Sequence, residues 1–343
     1  MSEKPIFEVK NLSLHYLTRF GAKIHAAVDI SFDLKEGEIL GIAGESGCGK
    51  TTLVSGLTGL CIPPLNYTSG EILVNGKPLM GRSVEDIREN VLAKEISMIP
   101  QGAFNALNPT RKVKDFAMDV LRSHESGKSN KNEMYQRIYD RFKLLGLDDT
   151  DRVLNSYPVQ LTAGERQRSV IGISTLLNPK MVIADEPTSA LDVTTQKQVI
   201  GVIFDLIERK VFSTMIFITH ELPLLRHVAD KIAVMYAGEI VEMGTSEQLV
   251  FEPRHPYTIA LMSAMLSAEE GARKRKPEAI EGAPPSLAGE IIGCRFAPRC
   301  KYATDDCRKD KQEIRIVDGR QVRCACAEKV RDAVKAKQES EAK

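Results

Sequence analysis

Gly44-Glu45-Ser46-Gly47-Cys48-Gly49-Lys50-Thr51 is the stretch on which the reading of this chain turns. It fits G-x-x-x-x-G-K-[ST] and lies between a compact apolar run, GEILGIAG, and a helical pattern, TTLVSGLTGL. A buried strand that passes through a glycine-rich turn into a helix is the context this pattern requires. The glycines let backbone N–H groups turn inward around phosphate oxygens, and the helix beginning near Lys50 adds the positive end of its dipole. Lys50 supplies a point charge between terminal phosphates, and Thr51 offers a hydroxyl to Mg²⁺. The spacing therefore predicts a nucleotide-phosphate site built from Gly44, Ser46, Gly47, Cys48, Gly49, Lys50, Thr51 and Thr52.

Working outward, residues 6–40 read as antiparallel strands: IFEVKNLSLHY alternates apolar and polar side chains, and AAVDISFDL repeats the pattern after a loop at Arg19 to Lys23. Residues 105–173 have mostly helical apolar spacing, and two further buried strands follow at MVIADE and TMIFITH. Strands alternating with helices imply an α/β fold with a mostly parallel sheet covered on both faces. Asp185, at the C-terminal end of MVIAD, can hold Mg²⁺, and Glu186 beside it can orient or deprotonate a water attacking a γ-phosphate. Two such carboxylates can also merely cap the next helix; the phosphate loop upstream favours catalysis. His220 ends the next strand, where a hydrogen-bonded core histidine is the plain alternative.

The 343 residues carry 47 Lys and Arg against 46 Asp and Glu, so a net charge of +1 supplies no global field for nucleic acid or an anionic membrane. Hydrophobic residues at 43% and charged residues at 27% exclude a wholly disordered chain. No apolar run approaches the roughly 18 residues that span a bilayer. The start, MSEKPIFEVK, lacks the segments of a secretory signal, and a cytoplasmic chain is expected. The domain boundaries expected are a nucleotide-binding domain over 1–266, a charged linker over 267–285 with the basic run Arg273 to Lys276, and a Cys-rich module with a charged tail over 286–343. Of seven cysteines, Cys294, Cys300, Cys307, Cys324 and Cys326 crowd into that module. In a reducing compartment such crowding points to metal before disulfides, as iron–sulfur or zinc, although the spacing is not the C-x-x-C of common zinc ribbons.

The order of phosphate loop, Gln101, LTAGERQR from Leu161, ADEPTSALD from Ala184, and His220 resembles the nucleotide-binding subunit of an ATP-binding cassette (ABC) transporter. Leu107-Asn108-Pro109, His255-Pro256-Tyr257-Thr258, and the ending APPSL followed by GCRFAPRC are similar to the oligopeptide/dipeptide importer branch. The resemblance implies a P-loop NTPase core with an antiparallel β subdomain, a helical subdomain over about 105–173, and the small C-terminal Cys-rich module. It implies that Gln101 reaches Mg²⁺ and the attacking water, that His220 faces the γ-phosphate, and that Ser189 to Asp192 communicate across a dimer. Tyr16 is the candidate for stacking on adenine, with Phe20 as competitor.

The resemblance further implies ATP hydrolysis with Mg²⁺ and a [4Fe–4S] cluster on Cys294, Cys300, Cys307 and Cys324, with Cys326 the weaker match for the fourth position. Expected partners are a second ATPase subunit, two transmembrane permease subunits and, indirectly, an extracytoplasmic solute-binding protein, which puts the chain on the cytoplasmic face of the membrane. No nucleic acid is expected; the rival is a soluble cassette ATPase acting on nucleic acid, with a zinc module. One departure stands out. Where the family has LSGGQ, this chain has Leu161-Thr162-Ala163-Gly164-Glu165, a segment that would face the ATP of the opposite subunit. Glu165 either sets negative charge against that phosphate or points away and favours its own helix N-terminus.

Overall fold

The computed structural model describes residues 4–125, 130–266, 280–289 and 291–333. The basic run at 273–276, most of the expected linker and the end of the tail lie outside the described residues. Among the described residues, twelve strands form two sheets: β1 (Phe7–Leu17), β2 (Lys23–Leu34), β3 (Ile39–Ala43), β4 (Leu65–Val74), β5 (Lys77–Pro78), β6 (Ile96–Ile99), β7 (Met181–Asp185), β8 (Thr214–Ile218), β9 (Lys231–Tyr236), β10 (Glu239–Thr245), β11 (Arg315–Val317) and β12 (Arg320–Val322).

The first sheet is antiparallel with order β2-β1-β4-β5, as the alternating opening predicts. The second has order β11-β12-β10-β9-β3-β8-β7-β6, and its pairs from β9 to β6 are parallel. Strands β3, β7 and β8 are buried at every position, which is why they read as continuous apolar runs without alternation. One apolar core lies between this sheet and the helical side of the molecule, and a second joins it to the antiparallel sheet and the helix Lys50–Leu57.

The helical stretch resolves into Val113–His124, Lys131–Lys143, Thr150–Asn155 and Ala163–Ser174, which meet around Ala117, Leu121, Ile138, Phe142 and Val170. The cysteine-bearing segment does not stand apart from the core. β12 pairs antiparallel with β10, Glu242 opposite Val322, so the hairpin β11-β12 extends the main sheet, and Phe296 sits in the larger core. Residues 327–333 are helical, where the charged tail begins.

Because β3, β8, β7 and β6 are adjacent and parallel, their C-terminal ends share one edge. That edge receives the phosphate loop after β3, His220 after β8, Asp185 and Glu186 at the end of β7, and Gln101 after β6. Loops outside the carboxyl ends of parallel strands are where α/β sheets form their crevices.

Candidate active site

The phosphate loop closes on itself. Lys50 Nζ donates to the carbonyls of Gly44 at 2.8 Å and Glu45 at 3.0 Å, so the loop wraps the ammonium. Gly49 has φ +108°, and a Cβ there would overlap the Ala26 carbonyl oxygen of β2, which leaves glycine as the residue that fits. Cys48 points inward, buried, with its Sγ 3.8 Å from Lys50 Nζ. Its place in the loop is one of packing, and burial raises its thiol pKa.

A cavity of about 290 Å³ opens over this loop. Ser46, Gly47, Gly49, Lys50, Thr51 and Thr52 line it, together with Tyr16, Gln101 and Glu186. Tyr16 reaches it from the end of β1, its hydroxyl accepting from Thr52 Oγ1 at 3.2 Å, whereas Phe20 is 98% exposed in the loop beyond. Leu287, the last residue of the APPSL stretch, also lines the cavity, a contact its sequence pattern does not indicate. The segment around it lies along β2: the His25 N–H donates to the Leu287 carbonyl at 2.8 Å, and Ile24 bridges Ala288.

Glu186 sits at the mouth in a left-handed conformation, φ 48°, with its N–H donating to the Ile218 carbonyl. Its two carboxylate oxygens are held separately: Gln101 Nε2 donates to Oε2 at 3.0 Å, and His220 Nδ1 lies 3.3 Å from Oε1. Three residues that are 85 and 34 positions apart in sequence thus form one constellation, and a carboxylate gripped from both sides is fixed in direction.

Asp185 lies deeper. Its carboxylate is buried and, among the described residues, neither oxygen has a hydrogen-bond partner. Burial pushes its pKa up; the nearby Thr51 hydroxyl opposes this, the Glu186 charge adds to it, and Lys50 opposes it. A buried carboxylate with no partner at hydrogen-bond distance, and with the Thr51 hydroxyl near enough to favour its charge, is an oxygen donor set suited to a hard divalent cation. The residues present therefore fit magnesium.

The departing signature segment does not line this cavity. Thr162 caps the helix Ala163–Ser174: the Glu165 N–H donates to Thr162 Oγ1 at 3.2 Å, and Glu165 Oε2 accepts from the Thr162 N–H at 2.9 Å. Arg152 pairs with the same carboxylate. Burial alone would raise the Glu165 carboxyl, but the Thr162 amide, the Arg152 guanidinium and the Thr162 hydroxyl hold it below its ordinary value. Of the two readings left open by the sequence, the structure has Glu165 serving its own helix. Gly164 is required for a local reason as well, since a Cβ there would come within 2.7 Å of Thr195 Cγ2.

Cys294, Cys300, Cys307, Cys324 and Cys326 all line one small cavity of about 10 Å³, room for roughly a single water. Cys307 and Cys326 approach to 4.0 Å between sulfurs. Burial pushes the thiols of Cys294 and Cys324 up to about 11 and about 12. Five soft donors around one point suit an all-thiolate centre chemically. Among the described residues, however, no three of the metal-ligating side chains stand at a spacing that would hold a metal ion, so the five cysteines converge without forming a metal site in this arrangement.

Comparison with known proteins gives this architecture its place. Residues 27–189 match the ABC transporter family, and residues 241–307 match the oligopeptide/dipeptide transporter C-terminal region. The dipeptide transport ATP-binding protein DppD of Caldanaerobacter subterraneus is 38% identical over 92% of this chain and 94% of its own length. The oligopeptide transport ATP-binding protein OppD of Bacillus subtilis is 40% identical over 87% of this chain and 82% of its own. The chain belongs to the ABC transporter ATP-binding family. Among solved structures, an ATP-binding cassette dimer in a post-hydrolysis state with ADP and Pi superposes with a TM-score of 0.61 at 24% identity, over 70% of this chain and 98% of that one. At that identity the likeness is one of fold. As a member of the ABC family the chain is an ATPase, and no described helix is long and apolar enough to cross a membrane.

Two contacts to the ABC phosphate loop escaped sequence reasoning. Tyr257, in the His255-Pro256-Tyr257-Thr258 stretch, is fully buried and its hydroxyl accepts from the Glu45 N–H at 3.0 Å. Arg299, in GCRFAPRC, pairs with the Glu45 carboxylate. Both stretches carried the family resemblance, but neither spacing says that the phosphate loop is what they touch.

Proposed function

We propose that this chain is the ATP-hydrolysing subunit of a peptide importer, working at the cytoplasmic face of the membrane with a second ATPase subunit, two permease subunits and, through them, a solute-binding protein. The observation that carries the reading is the gathering of Lys50, Thr51, Gln101 and Glu186 around one cavity in a chain whose relatives are peptide-transport ATP-binding proteins over most of their length. The division into a nucleotide-binding domain over 1–266, a linker and a C-terminal Cys-rich segment belongs to the same proposal.

In this reading Lys50 neutralises the terminal phosphates and Tyr16 stacks on the base. Thr51 and Asp185 would hold magnesium, which when bound supplies charge neutralisation between those phosphates. Glu186 positions the attacking water and takes its proton as the oxygen bonds to the γ-phosphorus and the bond from that phosphorus to the β–γ bridging oxygen breaks, ADP leaving with the electron pair; Gln101 and His220 keep its carboxylate aimed. Leu161 to Glu165 complete the partner subunit's site from across the dimer, and Ser189 to Asp192 carry the signal between sites. Cys294, Cys300, Cys307 and Cys324 are assigned to the iron–sulfur cluster, supported by the convergence of soft donors, and seating it requires the small cavity to open.

The test is reconstitution with the permease and partner ATPase in vesicles, reading peptide uptake and ATP hydrolysis together. Glu186→Gln should keep MgATP binding while lowering turnover by about 10²–10⁴-fold, because the amide keeps shape but not basicity. ATP hydrolysis stimulated by DNA or RNA and indifferent to the permease would overturn the importer reading.

A further inference from the structure

The Glu45 carboxylate sets a negative charge in a loop whose other groups suit phosphates, which bring several more. The structure answers it from 254 residues away. Arg299 Nη1 donates to Glu45 Oε2 at 2.9 Å and Nη2 to Oε1 at 3.3 Å, a two-pronged pair that matches the guanidinium fork to the carboxylate. The Arg299 side chain is 6% exposed. Its remaining donors are fixed by main-chain acceptors: Nε on the Glu281 carbonyl at 3.1 Å and Nη2 on the Ile280 carbonyl at 3.3 Å. Nη1 also reaches the Tyr236 hydroxyl at 3.3 Å, and the guanidinium lies 5.7 Å from that ring's centre. The Glu45 N–H is meanwhile held by Tyr257, whose ring packs on Tyr236 and Phe296. One loop residue is thus gripped at its amide and at its carboxylate by groups drawn from the C-terminal third of the chain.

We propose that Arg299 is a positioning residue of the ATP site: it neutralises Glu45 and draws its carboxylate off the phosphate path, so that the C-terminal segment sets the affinity of the phosphate loop. The Tyr236–Tyr257–Phe296 stack gives Arg299 a rigid base, since a pair fixed in a buried aromatic wall does not swing with solvent. Arg299 touches no phosphate itself; it acts through Glu45. Its removal leaves an unpaired carboxylate in the loop, which repels ATP, whereas removal of both partners leaves no charge to repel. The proposal rests on Gly44–Thr51 being the ATP phosphate loop.

The experiment is a double-mutant cycle on the full-length chain, reading MgATP and magnesium tripolyphosphate binding by calorimetry. Arg299→Ala should weaken both ligands about tenfold, the scale of one charge-assisted pair. Glu45→Ala added to it should return both to within about threefold of the parent. Arg299→Lys, which keeps the charge, should lose less than Arg299→Ala and covers the case in which the alanine variant does not fold: its loss, too, should vanish when Glu45→Ala is added. A purely structural Arg299 would show the same loss with or without Glu45, and that result overturns the proposal, as does a loss seen with MgATP and absent with tripolyphosphate. Lys50→Ala is measured alongside. If it leaves binding of both ligands intact, the loop is not the phosphate site and the underlying reading has failed instead.

Discussion

Asp185→Asn should do two opposite things: abolish the response to magnesium and make the magnesium-free protein more stable. The carboxylate is buried at the end of β7, and neither oxygen finds a hydrogen-bond donor among the described residues. Its folded pKa is raised by burial, partly opposed by the Thr51 hydroxyl, reinforced by Glu186 and opposed by Lys50. A carboxyl whose folded pKa lies above its unfolded value of about 3.9 favours the fold most when protonated. That advantage is lost as pH rises from the unfolded value through the raised folded one, so at neutral pH the charge is a standing cost. Burying a polar group unpaired costs about 1–3 kcal/mol, and a charge costs more. The asparagine amide stays unpaired, so the gain is the part specific to charge, on the order of 1–2 kcal/mol after the attraction of Lys50 is given up. For a chain of this size that is a rise in Tm of about 1–3 °C. Scanning calorimetry at pH 7.5 in EDTA should show it, the gain should shrink toward pH 4, and adding magnesium with ADP should raise the parent's Tm and not the variant's. A lower Tm for Asp185→Asn in EDTA would mean that the carboxylate is paired in solution; a retained magnesium increment would mean that the cation is held elsewhere. Either result refutes the site as drawn.

The remaining predictions concern the cysteines and the altered signature. Anaerobically purified protein should be brown, with iron and acid-labile sulfide in near-equal amounts, and replacing Cys324 should bleach it while replacing Cys326 does not; zinc without sulfide would sink the cluster. In the proposed complex, Lys50→Ala should cost far more activity than the equivalent change in the partner subunit, since in that proposal the partner's ATP would face the altered Thr162-Ala163-Gly164-Glu165; equal losses in a verified heterodimer would show the signature to be harmless. Because Arg152 and Thr162 already hold the Glu165 carboxylate, Ala163→Gly should speed the partner's site more than Glu165→Gln, a comparison made by single-turnover hydrolysis.

What was legible in the sequence was what local pattern encodes. The phosphate loop carries its own grammar of glycines, lysine and threonine, and the fully apolar runs of β3, β7 and β8 announce central parallel strands because both faces of each are covered. Glu186 and His220 were legible as strand ends. Gln101 was not: the four residues of β6 before it are a weak strand signal, and its role came only with the resemblance. Glu165 shows how a local rule can be present and still be weighed against a louder one. Thr162 followed three residues later by Glu165 is the capping-box pattern, yet its place in a segment expected to face phosphate made charge the first concern. The reciprocal hydrogen bonds favour the cap because both partners lie within one helical turn, whereas a phosphate would have to come from another subunit.

The contacts that stayed hidden share a physical cause. Tyr257 meets the loop through a backbone N–H, which every residue but proline possesses, so no residue type at position 45 could have advertised it. Leu287 reaches the nucleotide cavity through main-chain pairing with β2, and such pairing depends on register and carries no side-chain signature. Arg299 and Glu45 are an ordinary base and an ordinary acid among 93 charged residues, and only the fold decides which meet. Two of the three, Leu287 and Arg299, belong to the C-terminal segment, which is continuous with the main sheet through β10 and β12. Composition marks that segment as a change of character after Leu266, and the resemblance likewise implied a small C-terminal module. A sheet that runs on into the segment couples it mechanically to the core: a displacement at Cys300 is one peptide bond from Arg299, and Arg299 is joined by a pair of hydrogen bonds to Glu45 of the phosphate loop.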